Sequence, residues 1–488
     1  MNGGGEGAGV LRDETGFFAA LADLAKEVKS RDDFVVVHHY DADGLTSGAI
    51  TIKALEREGK KVKSVCLKQI YRENVAEIKG LGKNYLFVDF GSGQLDYLID
   101  EFGDSFFILD HHQQAQLSVE QELKLARMNC RQINPHLFGI NGGTEISGAG
   151  VAIFFALALN PNNSDLSALA IVGAVGDMQD SRGKLEGMNR KIIDVAVGAG
   201  LLETKIDLRL FGRISRPLVS FLTFSSTPVL PKLTAFEDNC RLFLQQNGIP
   251  LQDPFTNAWL SYEDLTPEQK RTLSSALIMH LSSFDVPEWK IQELVGEIYT
   301  LKKEKEKSPL RDAKEFATML NACGRHARPE VGLAVCMGDR NVDSEYGSAL
   351  ALMAEHRAAL AKGIQFIHEH GIEERKSFYF FDAGSEIQDS LVGIIAGMLY
   401  GSVIQENKPI IALARNEDGT VKASGRGTSY LVRRGLNIGG ALKEISSEMQ
   451  GVEGGGHYIA AGAKINADKL DEFLDRLEKK FAQQIGEK

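Results

Sequence analysis

Residues 34–47 read FVVVHHYDADGLTS, from Phe34 to Ser47. Val35, Val36 and Val37 are consecutive and β-branched, the pattern of a parallel strand buried on both faces. The run ends directly in His38, His39 and the paired carboxylates Asp41 and Asp43, so the strand delivers hard metal ligands to its own carboxyl end. Gly44 permits a tight turn, Thr46 and Ser47 are able to cap, and Leu45, Ala49 and Ile52 recur at helical spacing. Strand, acidic turn and helix thus follow without a linker, and in open α/β sheets that crevice is where ligands bind. Carboxylates one residue apart repel each other, and a divalent cation would neutralise them. Taken alone, Asp-Ala-Asp-Gly fits a solvated helix cap equally well.

The stretch does not stand alone. From Phe34 to about Ala174, short apolar runs alternate with amphipathic ones, which predicts a doubly wound, mainly parallel α/β sheet. The predicted strands are Phe34–His38, Val62–Cys66, Tyr85–Asp89 and Phe106–Leu109. Two of the last three run into acid, at Asp89 and at Asp110-His111-His112. Parallel strands present their carboxyl ends on one edge, so Asp41, Asp43, Asp89 and the Asp110–His112 group should converge. The apolar helix Leu166–Val175 closes with Gly176-Asp177, and a carboxylate at that pole of a helix is costly unless a cation faces it.

His39-x-Asp41-x-Asp43-Gly44, Asp89 after a strand, Asp110-His111-His112 and Gly176-Asp177 resemble the four motifs of the DHH phosphoesterase superfamily, in the archaeal RecJ-like form. The resemblance implies two divalent cations, Mn²⁺ first and Mg²⁺ second, bridged by Asp89. Asp41 and a histidine would complete one site; Asp43, His111 and Asp177 would complete the other. His112 would face the substrate phosphate, and Asp110 would orient the histidines from behind. In some members the first-motif histidine lies four residues before the first Asp, where this chain has Val37. His39 matches better, with His38 as the alternative.

Length and composition set the outer bounds. A chain of 488 residues exceeds a single core and predicts two or three domains. No apolar run is long enough to span a membrane. The Gly-rich start predicts a disordered leader over residues 1–12. Cys66, Cys130, Cys240, Cys323 and Cys336 are scattered and never in C-x-x-C spacing, which suggests a reducing cytoplasm and no zinc site. Lys and Arg total 55 against 66 Asp and Glu, a net charge of −11. That balance argues against a protein that coats a duplex, and leaves room for an enzyme that engages a few phosphates through metals in a cleft.

Beyond residue 182, where the DHH domain (13–182) is expected to end, the alternation fades. Residues 183–315 read as a helical insert, too long for a loop, with Pro-bearing stretches at Arg216-Pro217 and Thr227-Pro228. Its terminal charge run, Lys302 to Lys314, reads as a solvated helix face. Leu218, Phe221, Leu222, Phe224, Leu230, Leu242, Phe243, Leu244 and Leu281 should form its own core, and any surplus left exposed would mark a partner surface. By the resemblance, the insert corresponds to an interaction domain, with a GINS-type replication complex as the implied partner.

A connecting segment with a long helix (316–371) follows. Asn321-Ala-Cys-Gly-Arg325 resembles a RecJ signature in which Arg325 would clamp a phosphate. The helix carries Leu350, Met353, Leu360, Ile364 and Ile367 on one stripe, with Gly371 as its stop. Residues 372–488 return to α/β alternation. They contain Ser424-Gly-Arg426-Gly427 and Gly454-Gly455-Gly456-His457, where glycine amides, Arg426 and His457 could approach an anion. Gly-Gly-Gly-His before Ala-Ala-Gly is similar to the DHH-associated substrate-binding domain, which sets aside the pyrophosphatases of the superfamily.

Together these readings predict a cytoplasmic, metal-dependent exonuclease on single-stranded DNA or RNA, of archaeal type and serving DNA replication or repair. The alternatives are a phosphodiesterase for short oligonucleotides or cyclic dinucleotides, and a replication-fork scaffold without catalysis.

Overall fold

The structure is a computed structural model that describes residues 11–115, 117–127, 132–225, 228–284, 286–400, 403–416 and 418–485. Most of the expected leader, together with Cys130 and Thr227, lies outside them. The chain divides into two compact units, Met1–Met353 and Ala354–Lys488.

The first unit is built on five parallel strands: β1 (Asp33–His39), β2 (Lys61–Leu67), β3 (Asn84–Val88), β4 (Phe106–Leu109) and β5 (Gln132–Ile133), in the order β2-β1-β3-β4-β5. Their alternation decides which helix covers which face. Phe34, Val36, Leu86, Val88, Phe107 and Leu109 pack with helices Glu14–Lys29, Ala42–Arg57 and Gly148–Leu159. Val35, Val37, Tyr85, Phe87, Phe106 and Ile108 pack on the other side with Val75, Leu95, Leu98 and Ile99. Both faces are covered, which is why β1 could be an unbroken apolar run. The direction of winding reverses between β1 and β3, and the crevice at their carboxyl ends is the fold's natural ligand position. The doubly wound α/β expectation holds.

The insert differs from a purely helical reading. It is rooted on an antiparallel pair, β6 (Leu202–Leu208) and β7 (Val295–Leu301), in which Leu202 faces Leu301 and Leu208 faces Val295. Between these strands, helices Leu218–Thr223, Glu237–Gln246 and Pro267–Ser283 enclose a separate core of Leu218, Phe221, Leu222, Leu230, Leu244, Tyr262 and Leu281. Phe243 packs partly against that core, whereas Phe224 and Leu242 are half exposed. The charged residues 302–307 form turns, not a helix face, because β7 ends at Leu301 and Pro309 opens a short 3-10 turn.

The boundary between the units falls within the helix Glu345–His370. Its first half buries Ala349, Leu352 and Met353 in the core of the first unit, and its second half buries Ile367 in the core of the second and packs Leu360 and Ile364 against it. Among its described residues the second unit holds six strands: β8 (Glu373–Glu374), β9 (Tyr379–Asp382), β10 (Ile410–Arg415), β11 (Val421–Arg426), β12 (Val452–Gly456) and β13 (Ala460–Ile465), ordered β12-β13-β11-β10-β9-β8. Only β9 and β10 pair in parallel. Helix Asp389–Met398 covers one face, and helices Ile438–Glu448 and Leu470–Ile485 cover the other. Among the described residues no helix is long and apolar enough to cross a membrane.

Candidate metal centre

The two histidines that end β1 have opposite fates. His38 is fully buried, with Nδ1 2.9 Å from the His39 carbonyl and Nε2 3.0 Å from Ser64 Oγ. Burial pushes its pKa down to about 4, so the ring is neutral. His39 instead turns to the acidic cluster, with Nδ1 3.1 Å from Asp41 Oδ1 and 3.6 Å from Asp89 Oδ2. Burial opposes charge on this ring, but Asp41 and Asp89 outweigh it and hold the pKa well above the ordinary histidine value.

Asp41 caps the helix Ala42–Arg57, accepting from the Gly44 amide at 3.0 Å. The cap is therefore Asp41; Thr46 and Ser47 donate back to the Ala42 and Asp43 carbonyls from inside the helix. Asp43 is buried in the first turn and faces a second helix end, its oxygens accepting from the Gly148 amide at 2.6 Å and the Ala149 amide at 3.0 Å. Such an end welcomes a negative group. Even so, burial and the neighbouring Asp89 carry the Asp43 pKa well above the carboxylate range.

Asp89 follows β3 in a left-handed conformation, φ 65°, which is uncommon for a non-glycine residue. It is buried, and its Oδ1 accepts no hydrogen bond, although His111 Nε2 lies 3.2 Å away. His111 is anchored through Nδ1, 2.7 Å from the Gly142 carbonyl. That bond fixes Nδ1 as the donor and aims Nε2 at Asp89 Oδ1 and, at 3.6 Å, Asp43 Oδ2. Asp110, fully buried, accepts from the amides of Ser92 (2.9 Å), His111 (2.7 Å) and His112 (3.1 Å) and from His112 Nδ1 (2.8 Å). Burial opposes its charge, yet His112 and His111 hold its pKa well below the usual range. The His112 ring is partly exposed. Asp177 caps the carboxyl end of helix Ser167–Gly176, and burial pushes its pKa up to about 6.

Among the described residues, three sets of side chains each bring their ligand atoms within 4.8 Å of one another: His39, Asp41 and Asp89; Asp43, His111 and Asp177; and Asp89, Asp110, His111 and His112. Oxygen donors with a few imidazoles suit a hard or borderline divalent cation. An orphaned carboxylate oxygen on Asp89 and an imidazole nitrogen aimed between two carboxylates are what a cation at this place would satisfy.

Arg325 ends the helix Ala313–Arg325 in the same unit, where burial lowers its pKa and Tyr40 and Asp41 act against that. Its motif packs on the acidic turn: Asn321 Oδ1 accepts from the Ala42 amide at 2.9 Å. Arg426, Gly454, Gly455, Gly456 and His457 belong to the second unit. The three glycines lie in β12, paired with Ala463, Gly462 and Ala461 of β13. Helix Ile438–Glu448 lies so close that a Cβ on Gly439 would fall 2.0 Å from the Gly456 carbonyl. Arg426 ends β11 with Nη1 2.8 Å from the Gly425 carbonyl, and His457 opens the β12–β13 connection. The motif reading missed the Gly148 and Ala149 amides, the Gly142 carbonyl and Gln179. Ser147-Gly-Ala-Gly150 before an apolar run was the available signal, since Ser147 caps that helix.

Comparison with known proteins bears on the whole chain. Residues 33–175 match the N-terminal domain of the DHH family, 210–295 the DHH-CID domain, and 377–483 the DHHA1 domain. The uncharacterized protein MJ0831 of Methanocaldococcus jannaschii is 30% identical over 454 residues, covering 92% of this chain and 93% of that protein. Among solved structures, an exonuclease RecJ bound to manganese shares the fold at TM-score 0.56 and 18% identity, over 96% of this chain and 94% of its own. CDC45 from Entamoeba histolytica shares it at TM-score 0.64 and 15% identity, over 96% and 99%. With a relative along nearly its full length and the three domains in order, the chain belongs to the DHH family and has a RecJ-like fold.

Proposed function

We propose that this chain is a metal-dependent phosphodiesterase that hydrolyses single-stranded nucleic acid, DNA or RNA, from an end. The observation that carries the reading is Asp89 Oδ1, buried and without a hydrogen bond where the ligand sets meet. His39, Asp41 and Asp89 would hold one divalent cation, and Asp43, Asp89, His111 and Asp177 a second, with Mn²⁺ favoured and Mg²⁺ the alternative. Bound as a pair, such cations supply an activated water and stabilise the attacking and leaving oxygens of an in-line displacement at phosphorus.

The chain's own residues do the rest. Asp110 fixes the His112 ring through Nδ1, and this partly exposed ring would face a phosphate oxygen. Arg325 adds a guanidinium suited to bidentate contact with phosphate. Arg426, the Gly454–Gly456 backbone and His457 would bind the nucleic acid. The insert would dock a GINS-type replication complex; the half-exposed Phe224 and Leu242 beside a filled core support a partner surface there.

End-labelled DNA and RNA strands of graded length, incubated with Mn²⁺, Mg²⁺ or chelator, test the reading. Stepwise shortening from one end should require the metal and vanish in Asp89→Asn. Turnover confined to the shortest strands would favour an oligonucleotide phosphodiesterase, and no metal-dependent cleavage of any strand would favour a scaffold.

A further inference from the structure

Gln179 lies two residues beyond Asp177, buried, and none of the motifs includes it. Its Nε2 is 2.9 Å from the Gly142 carbonyl, 3.1 Å from the Ile146 carbonyl and 3.0 Å from Asp177 Oδ2. The Gly142 carbonyl is the same atom that accepts from His111 Nδ1. One amide nitrogen thus ties together the anchor of the His111 ring and one oxygen of the Asp177 carboxylate. An amide can flip, which would exchange its donor and acceptor ends. Here the flip is fixed from behind: fully buried Asn189 donates through Nδ2 to Gln179 Oε1 at 2.7 Å. The flipped amide would face three oxygen acceptors with an oxygen.

We infer that Gln179, oriented by Asn189, is a positioning residue that sets the cation affinity of the Asp43–His111–Asp177 site and leaves the His39–Asp41 site unaffected. The inference rests on the two-cation reading above. Gln179 occupies one lone pair of Asp177 Oδ2, so the carboxylate presents a defined face to the cation, and it holds His111 in register with that face. His39 and Asp41 have no bond to Gln179, and Asp41 takes its orientation from Gly44. The loop itself has an independent anchor, because Arg209 Nη2 donates to both the carbonyl and the carboxylate of Asp180. Removing the Gln179 amide should therefore loosen the two ligands without releasing the loop.

Titration calorimetry of metal-free protein with Mn²⁺ decides the matter. Gln179→Met keeps the length of the side chain and removes its hydrogen bonds; one of two sites should weaken by roughly 10–100-fold, the usual cost of losing a partner that orients a ligand. Gln179→Glu should weaken the same site more, since it turns a carboxylate on Gly142, Ile146 and Asp177, whereas a role in packing alone predicts equal losses. Asn189→Leu should give a smaller loss at that site, and it decides the question should the Gln179 variants fail to fold. Asp177→Ala is the control for the underlying assignment. If it binds both cations as the parent does, that assignment is wrong and the inference falls with it. If it loses one site while Gln179→Met and Asn189→Leu bind both normally, the inference alone is overturned.

Discussion

Gly148→Ala tests how tightly the centre is built, because the substitution replaces no proposed ligand. A Cβ at residue 148 would stand 2.5 Å from Asp89 Oδ1, 2.8 Å from its Cβ and 2.9 Å from its Cγ, where ordinary contact begins at 3.4 Å. Either the carboxylate or the helix Gly148–Leu159 must move by about 0.9 Å. Asp89 has little room, since its backbone is already left-handed and its neighbours are buried. The helix has little either, since its first amides hold Asp43 and its apolar side chains fill the main core. A displacement of about 1 Å at a reacting centre costs on the order of 100-fold in rate. Hydrolysis of an end-labelled strand in saturating Mn²⁺ should therefore fall by about that factor, with a far-ultraviolet circular dichroism spectrum like the parent's. A folded Gly148→Ala protein with parental turnover would refute both the placement of Asp89 at the reacting centre and the rigidity argued for it.

Asp110→Asn should cost roughly 10–100-fold in turnover, less than His111→Ala, because Asp110 acts by orienting His112 and the backbone; steady-state rates in the reverse order would contradict that. His38 binds protons more weakly folded than unfolded, so its contribution to stability is present above the unfolded value of 6.5 and is lost as pH falls toward about 4. That window is worth about 3 kcal/mol at 1.36 kcal/mol per pKa unit. Chelated His38→Gln should accordingly show a flatter dependence of Tm on pH between those values, and a slope equal to the parent's would remove the assignment. Removing Arg216 to Glu293 through a flexible linker, with β6 and β7 kept, should preserve Mn²⁺ binding and cleavage of short strands while abolishing co-purification with a GINS-type complex. A folded product that binds Mn²⁺ but cannot cleave would place the insert in the active site. A deletion extended through Leu301 should fare worse, because Tyr299 and Leu301 belong to the main core.

The strands and their acidic ends were legible because both signals are local: a β-branched run is followed within a few residues by carboxylates, and parallel winding brings the ends together. Which histidine of the pair faces the cluster was not, since adjacent residues on a strand point to opposite faces and only the packing tells them apart. The pair β6–β7 was missed because its strands lie far apart in sequence and neither is strongly patterned. Glycines have low strand propensity, and at Gly454–Gly456 tertiary packing against Gly439 and β13 makes a strand. Gln179 carries no chemistry of its own, and its role appears only when Gly142, Asp177 and Asn189 are brought around it.

The register of β6 on β7 has a consequence for how such a chain can change over generations. Leu202 and Leu301 are partners across the ladder, so the outer helices between them hang from ends held as close as those of a short hairpin, apart from the contacts of Arg209 with Asp180 and of Ile214 and Ser215 with Glu315. The entropy of closing a loop grows only slowly with its length, and here the ends are already fixed. Sequence drift, lengthening or exchange of the outer helices can proceed behind that gate without disturbing the spacing of the ligands. Asp177, Gln179 and Asn189, whose side chains hydrogen-bond in series, have no such freedom. The outer helices can therefore change while the geometry of the acidic strand ends stays fixed.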